Sequence, residues 1–133
     1  TYGDHVDDPI MGSTGPRFRT DVSMTIFLNS PESYEGGELV VRTPFGDQQV
    51  KLPAGAAVVY PSSSLHRVAP VTRGERLVAL TWIQSYVRDA ARRELLYELN
   101  LAREALLKEQ PGTATTGYLD RSYANLVRMW AEV

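Results

Sequence analysis

Between residues 20 and 84 apolar and polar side chains alternate in short runs that stop before reaching helical length. "TDVSMTIFL" (20–28), "ELVVRT" (38–43), "QQVKL" (48–52), "AAVVYP" (56–61), "LHRVAPV" (65–71) and "RLVALTWIQ" (76–84) each read as a strand. Between them lie turn sequences: "NSPESYEGG", "PFGD", "PAG" and "TRGE". An extended "TYGDHV" (1–6) adds a seventh strand, and the Gly/Pro-rich "DDPIMGSTGPRFR" separates it from the rest. Seven strands at this spacing, with no helix between them, predict an antiparallel sandwich or barrel. Gly36 and Gly37 are placed for a tight turn with positive φ.

After residue 84 the period changes. Val87, Ala91, Leu95, Leu99, Ala102 and Leu106 recur at steps of three and four, which predicts a helix reaching about Lys108. "QPGTATTG" interrupts it. Leu119, Tyr123, Leu126, Val127 and Trp130 mark a second amphipathic helix. The expected organisation is a β core over residues 1–84 and a helical extension over 85–133.

Charge and composition narrow the function classes. Fourteen basic and sixteen acidic residues give a net charge of -2 with no long run of either sign, so no nucleic-acid footprint is expected. Apolar runs stay well short of the roughly 20 residues that span a bilayer, and no membrane partner is expected. The chain has no cysteine, which removes disulfides, zinc–thiolate sites and cysteine nucleophiles and fits a cytoplasmic location. "PSSS" (61–64) lacks the G-x-S-x-G setting of a serine nucleophile.

The chemistry concentrates on few residues. Only two histidines are present, His5 and His66, on different predicted strands. Residues i and i+2 of a strand share a face, so His5 and Asp7 project together. Either histidine alone reads as an ordinary surface or hydrogen-bonded core residue. A His-x-Asp pair plus a distant histidine is instead the donor set of a 2-His-1-carboxylate triad, which suits non-heme Fe(II). In "ERLVALTWIQ" alternation puts Arg76, Val78, Leu80 and Trp82 on one face. An arginine on an otherwise apolar face needs an anionic partner. Two candidates are open: a protein carboxylate such as Glu38, or a carboxylate ligand gripped in two-pronged fashion.

Together, "TYGDHVDDP", "RTDVSMTIFLNSPESYEGGELVV", "VKLPAGAAVVYPSSSLHRVAPVTRGERLVALTWIQS" and "VRDAARRELLYEL" resemble the bacterial PKHD-type hydroxylases. That group belongs to the prolyl-4-hydroxylase-like branch of Fe(II)- and 2-oxoglutarate-dependent dioxygenases. The resemblance implies a mainly β fold, a double-stranded β-helix or jelly-roll barrel, with C-terminal helices. It implies His5, Asp7 and His66 as iron ligands and Arg76 as the residue holding the distal carboxylate of 2-oxoglutarate. Many relatives place a tyrosine where Phe27 stands, so Thr25 or Tyr2 is expected to supply the second hydrogen bond to 2-oxoglutarate. Implied co-substrates are 2-oxoglutarate and dioxygen, with L-ascorbate as reductant, a substrate that is a peptidyl prolyl or lysyl group or a small molecule, and a link to bacterial iron uptake.

Such relatives carry a long region of helix and strand before H-x-D, whereas here the motif stands at the start. One or more barrel strands are therefore expected to be lacking, leaving an apolar sheet edge open. That edge, or the helical tail, is the expected surface for homo-oligomer formation. The competing reading is a non-catalytic jelly-roll binding or assembly module, or an inactive fragment of the dioxygenase. A zinc hydrolase would need a general base beside the metal, and none stands out.

Overall fold

The computed structural model describes residues 3–133, which form two compact units, one ending at Ser85 and the other running Tyr86–Val133. In the first unit, strands β1 (Ile10–Met11) and β2 (Phe18–Arg19) make a short hairpin inside the predicted Gly/Pro-rich loop. Strand β3 (Val22–Phe27) lies between β10 (Val78–Ile83) and β7 (Ala57–Pro61), antiparallel to both. A second sheet has β5 (Leu39–Thr43) between β6 (Gly46–Val50) and β8 (His66–Val68). Strands β4 (Glu35–Gly36) and β9 (Val71–Arg73) pair with each other.

Alternation explains which side of each strand is buried. Along β3, Ser23, Thr25 and Phe27 point inward, and Phe27 is completely buried. Leu39, Val40 and Val41 of β5 and the nearby Tyr34 complete the core. Two differences from the predicted strands have a local cause. "LHRVAPV" is not one strand: the chain turns at Ala69 and Pro70, so β8 joins β5 while β9 joins β4. Proline has no N–H for a ladder, which favours a break there. Of the predicted strand "TYGDHV", residues 1 and 2 lie outside the described residues, and the described part makes an antiparallel bridge between His5 and His66 and no named strand.

Gly36 and Gly37 both have φ of 70°, as the turn predicts. Among the described residues the sheets are consistent with a jelly-roll core and do not close into a barrel. Among the described residues β10 pairs only with β3. Leu80, about half exposed, and Ile83 lie along that strand.

The second unit is a helical pair, α1 (Ala90–Glu109) and α2 (Ala114–Trp130). Asp89 caps α1 by accepting from the Arg92 N–H at 2.8 Å, and Thr113 caps α2 by accepting from the Thr116 N–H. Val87, predicted as the first residue of the helical stripe, precedes α1 and bridges to Ala131. The inward face of α1 runs through Arg93, Leu96, Leu99, Arg103 and Leu106, and Leu95 is exposed. Counting apolar positions finds Leu99 and Leu106 of this face but passes over the two arginines on it. Arg93 donates to the Val87 and Arg88 carbonyls, and Arg103 pairs with Asp120 of α2 at 2.6 Å and stacks over Tyr123. No described helix is long and apolar enough to cross a membrane.

Candidate active site

His5 and His66 sit directly opposite each other. The His5 N–H donates to the His66 carbonyl at 3.0 Å and the His66 N–H returns to the His5 carbonyl at 2.9 Å. Directly paired residues share a face, so the two rings meet with centroids 4.3 Å apart. Asp7, two residues on, keeps the same face, and its N–H donates to the Ser62 carbonyl. On the opposite face the neighbouring pair, Asp4 and Arg67, forms an ion pair at 3.2 Å.

The ligating atoms of His5, Asp7 and His66 all lie within 4.8 Å of one another. Asp7 Oδ1 is 3.9 Å from His5 Nε2 and 3.7 Å from His66 Nε2. Cis ligands of one ion with ~2.1 Å bonds stand about 3 Å apart, a difference that small side-chain rotations close. Both imidazoles are held by backbone carbonyls. His5 Nδ1 lies 2.7 Å from the Gly3 carbonyl and His66 Nδ1 lies 2.9 Å from the Ser64 carbonyl. A carbonyl only accepts, so Nδ1 carries a proton and Nε2, which faces Asp7, is the ring nitrogen available to a metal. Two imidazoles and one carboxylate on a single face form a donor set that fits divalent iron.

The triad lines a cavity of about 300 Å³ whose walls draw on both three-stranded sheets. Its polar lining includes Thr25, Tyr60 and Arg76, and its apolar lining includes Leu39, Val68, Val78, Leu80 and Trp82. The predicted face of β10 therefore does look into this cavity. Arg76 Nε is buried and has no hydrogen-bond partner among the described residues. Desolvation by the surrounding protein pulls the guanidinium below its ordinary range, opposed by Tyr34 and Tyr60, and no carboxylate is among the groups acting on it. Pairing with Glu38 is thus absent. The guanidinium lies over the Phe27 ring, 5.9 Å from its centroid, so the residue replacing the usual tyrosine forms a floor beneath it.

Thr25 is almost fully buried and hydrogen-bonds Tyr60. Burial pushes the Tyr60 phenol above its ordinary value, Asp7 pushes the same way, and Thr25 and Arg76 pull it back. Sequence reading missed Tyr60. It ends an apolar run, "AAVVYP", and only its pairing with Ser23 across β3 and β7 reveals that it faces the cavity. Tyr2, the other expected hydrogen-bond donor, lies outside the described residues.

Residues 1–84 match the 2OG-Fe(II) oxygenase superfamily, and residues 89–132 match the PKHD-type hydroxylase C-terminal domain. A PKHD-type hydroxylase of Thioalkalivibrio sulfidiphilus is 64% identical over 132 residues. Similar proteins of the same name from Thermosynechococcus vestitus and Hyphomonas neptunium are 52% and 48% identical. Each alignment takes in 99% of this chain, and the chain spans 59% of each relative's length. With its β unit matched throughout and its helical pair matched separately, the chain belongs to the 2OG-Fe(II) oxygenase superfamily, as a member with a PKHD-type C-terminal domain.

Proposed function

We propose that this chain carries the catalytic centre of an Fe(II)- and 2-oxoglutarate-dependent hydroxylase. The observation that carries the reading is one cavity lined both by the His5–Asp7–His66 donor set and by Arg76, whose buried Nε has no hydrogen-bond partner among the described residues. A metal-binding module would need the triad alone, whereas the arginine asks for an anion beside it.

His5, Asp7 and His66 would hold the iron. When bound, iron with 2-oxoglutarate and dioxygen supplies oxidative decarboxylation to succinate and carbon dioxide, with one oxygen atom inserted into a substrate C–H bond. Arg76 would grip the distal carboxylate through its forked donors, which fixes the co-substrate's orientation along the cavity. The Tyr60 hydroxyl, kept protonated by burial, would donate the second hydrogen bond, with Thr25 orienting it. Leu39, Val68 and Val78 would keep water from the far wall. The proposed substrate is a peptidyl prolyl or lysyl group or a small molecule, in the setting of bacterial iron uptake, with L-ascorbate as reductant. That setting and substrate class rest on likeness to PKHD-type hydroxylases.

The test is anaerobic titration with Fe(II) and then 2-oxoglutarate, followed by admission of air and measurement of succinate. Tight Fe(II) binding, metal-dependent 2-oxoglutarate binding and succinate formation are expected. A protein that binds no Fe(II) would refute the reading.

A further inference from the structure

Asp7 has two carboxylate oxygens, and the structure treats them differently. Oδ1 faces both Nε2 atoms, while Oδ2 accepts a hydrogen bond from the Ser23 hydroxyl. Ser23 Oγ lies 2.7 Å from Ser62 Oγ. Both serines are 3% exposed, so neither hydroxyl can turn to bulk water instead. A carboxylate only accepts, so the Ser23 proton points at Asp7 and the Ser62 hydroxyl must donate to Ser23. The hydroxyls thus form a one-way chain, Ser62 to Ser23 to Asp7.

The backbone reinforces it. The Ser62 carbonyl accepts from the Asp7 N–H at 3.2 Å, and the Ser62 N–H donates to the Asp21 carbonyl at 3.2 Å. Ser62 therefore ties the carboxylate-bearing segment to β3 and β7 through its main chain while its hydroxyl feeds Ser23. Nothing about "TDVSMTIFL" or "PSSS" as sequence marks these serines: one sits in a largely apolar strand, the other in a serine-rich turn.

We propose that Ser23, backed by Ser62, is a positioning residue that reserves Oδ2 and presents Oδ1 alone, making Asp7 a one-oxygen metal ligand. This inference rests on the metal site proposed above. A carboxylate free to bind through both oxygens would occupy a coordination position that co-substrate needs. Groups behind a ligand commonly change metal affinity by roughly 10- to 100-fold when removed, and a buried, charge-assisted bond belongs in that range.

Co(II) is the probe, because its visible absorption reports coordination number and geometry. The wild-type protein, Ser23→Ala, Ser23→Thr and Ser62→Ala are each titrated with Co(II), and their spectra and thermal midpoints are recorded. Ser23→Ala should weaken Co(II) by roughly tenfold or more and alter the spectrum, Ser23→Thr should restore both, and Ser62→Ala should fall between. If Ser23→Ala and wild type bind Co(II) within roughly twofold and give the same spectrum, the serines only stabilise the fold and the inference fails, whatever the thermal midpoints do. Wild-type protein that binds no Co(II) would overturn the metal site itself, and the positioning role with it.

Discussion

Replacing Arg76 with methionine removes the guanidinium while keeping the length of the stem over Phe27, and two quantities should then move in opposite directions. Each hydrogen bond to a charged partner contributes about 1.5–3 kcal/mol. A forked pair, discounted for the cavity's open side, gives about 2–4 kcal/mol, or roughly 30- to 1,000-fold in 2-oxoglutarate affinity. Stability should behave differently. Arg76 Nε is buried without a partner, and an orphaned donor costs about 1–3 kcal/mol. Against this stands a cation–π contact with Phe27 of about 0.5–1 kcal/mol. Ligand-free Arg76→Met should therefore be as stable as wild type or more stable, by about 1 kcal/mol, a rise of some 4–8 °C for a unit of this size. Breaking a buried structural salt bridge would instead cost about 3–5 kcal/mol. Calorimetric titration of Mn(II)-loaded protein with 2-oxoglutarate, beside thermal melting of the metal-free protein, reads both. Normal 2-oxoglutarate affinity with a large loss of stability would refute the reasoning, because the arginine would then be serving the fold.

The other predictions concern the triad and its surroundings. His66→Ala and Asp7→Ala should each abolish Fe(II) binding in equilibrium dialysis, since two donors on one face do not retain the ion, whereas exposed Asp8→Ala should leave it unchanged within about twofold. Tyr60→Phe should weaken 2-oxoglutarate by about 0.5–1.5 kcal/mol, the net worth of one hydrogen bond, in the same titration. Burial raises the Tyr60 phenol, so the donating form is complete below its ordinary value of 10.0 and is lost only as pH climbs through the raised value. Affinity attributable to Tyr60 should then be flat from neutral pH up to that value; a fall in mildly alkaline solution that Tyr60→Phe removes would contradict this. Gly37→Ala should destabilise the protein by about 1–3 kcal/mol and weaken 2-oxoglutarate, read by denaturant melts and titration. Its φ is 70°, and an added Cβ would stand 3.0 Å from Arg76 Cδ and 3.1 Å from Tyr34 Cε2, pushing the arginine from its place.

What sequence reveals here depends on whether the signal is periodic or arises by pairing. Alternation in "ERLVALTWIQ" placed Arg76, Val78, Leu80 and Trp82 on one face, and that face lines the cavity. The i, i+2 relation likewise placed His5 with Asp7. Tyr60 was invisible because its role depends on lying across from Ser23, a register fixed by two strands some forty residues apart. Ser23 and Ser62 were hidden for the same reason. The face of α1 was read in part: Leu99 and Leu106 lie on it as predicted, whereas Arg93 and Arg103 were overlooked because arginines with satisfied heads can occupy an inward stripe. The break between β8 and β9 was readable in principle from Pro70.

The single bridge joining His5 to His66 has a thermodynamic consequence. Among the described residues the segment is tied to its neighbours by that reciprocal pair, by the Asp7 bond to Ser62 and by Thr20 bonds to the Asp8 and Pro9 carbonyls, a far sparser ladder than a central strand has. A one-residue slip would turn His5 and Asp7 together to the outer face, because they share parity. Only one register assembles three ligands, so the metal acts as a pin that selects it by mass action. At a hundred times its dissociation constant, an ion binding only that register favours it by about 2.7 kcal/mol. Amide hydrogen exchange at His5 and Asp7 should accordingly slow on metal loading far more than exchange within β3 or β5, which hold their register from both sides.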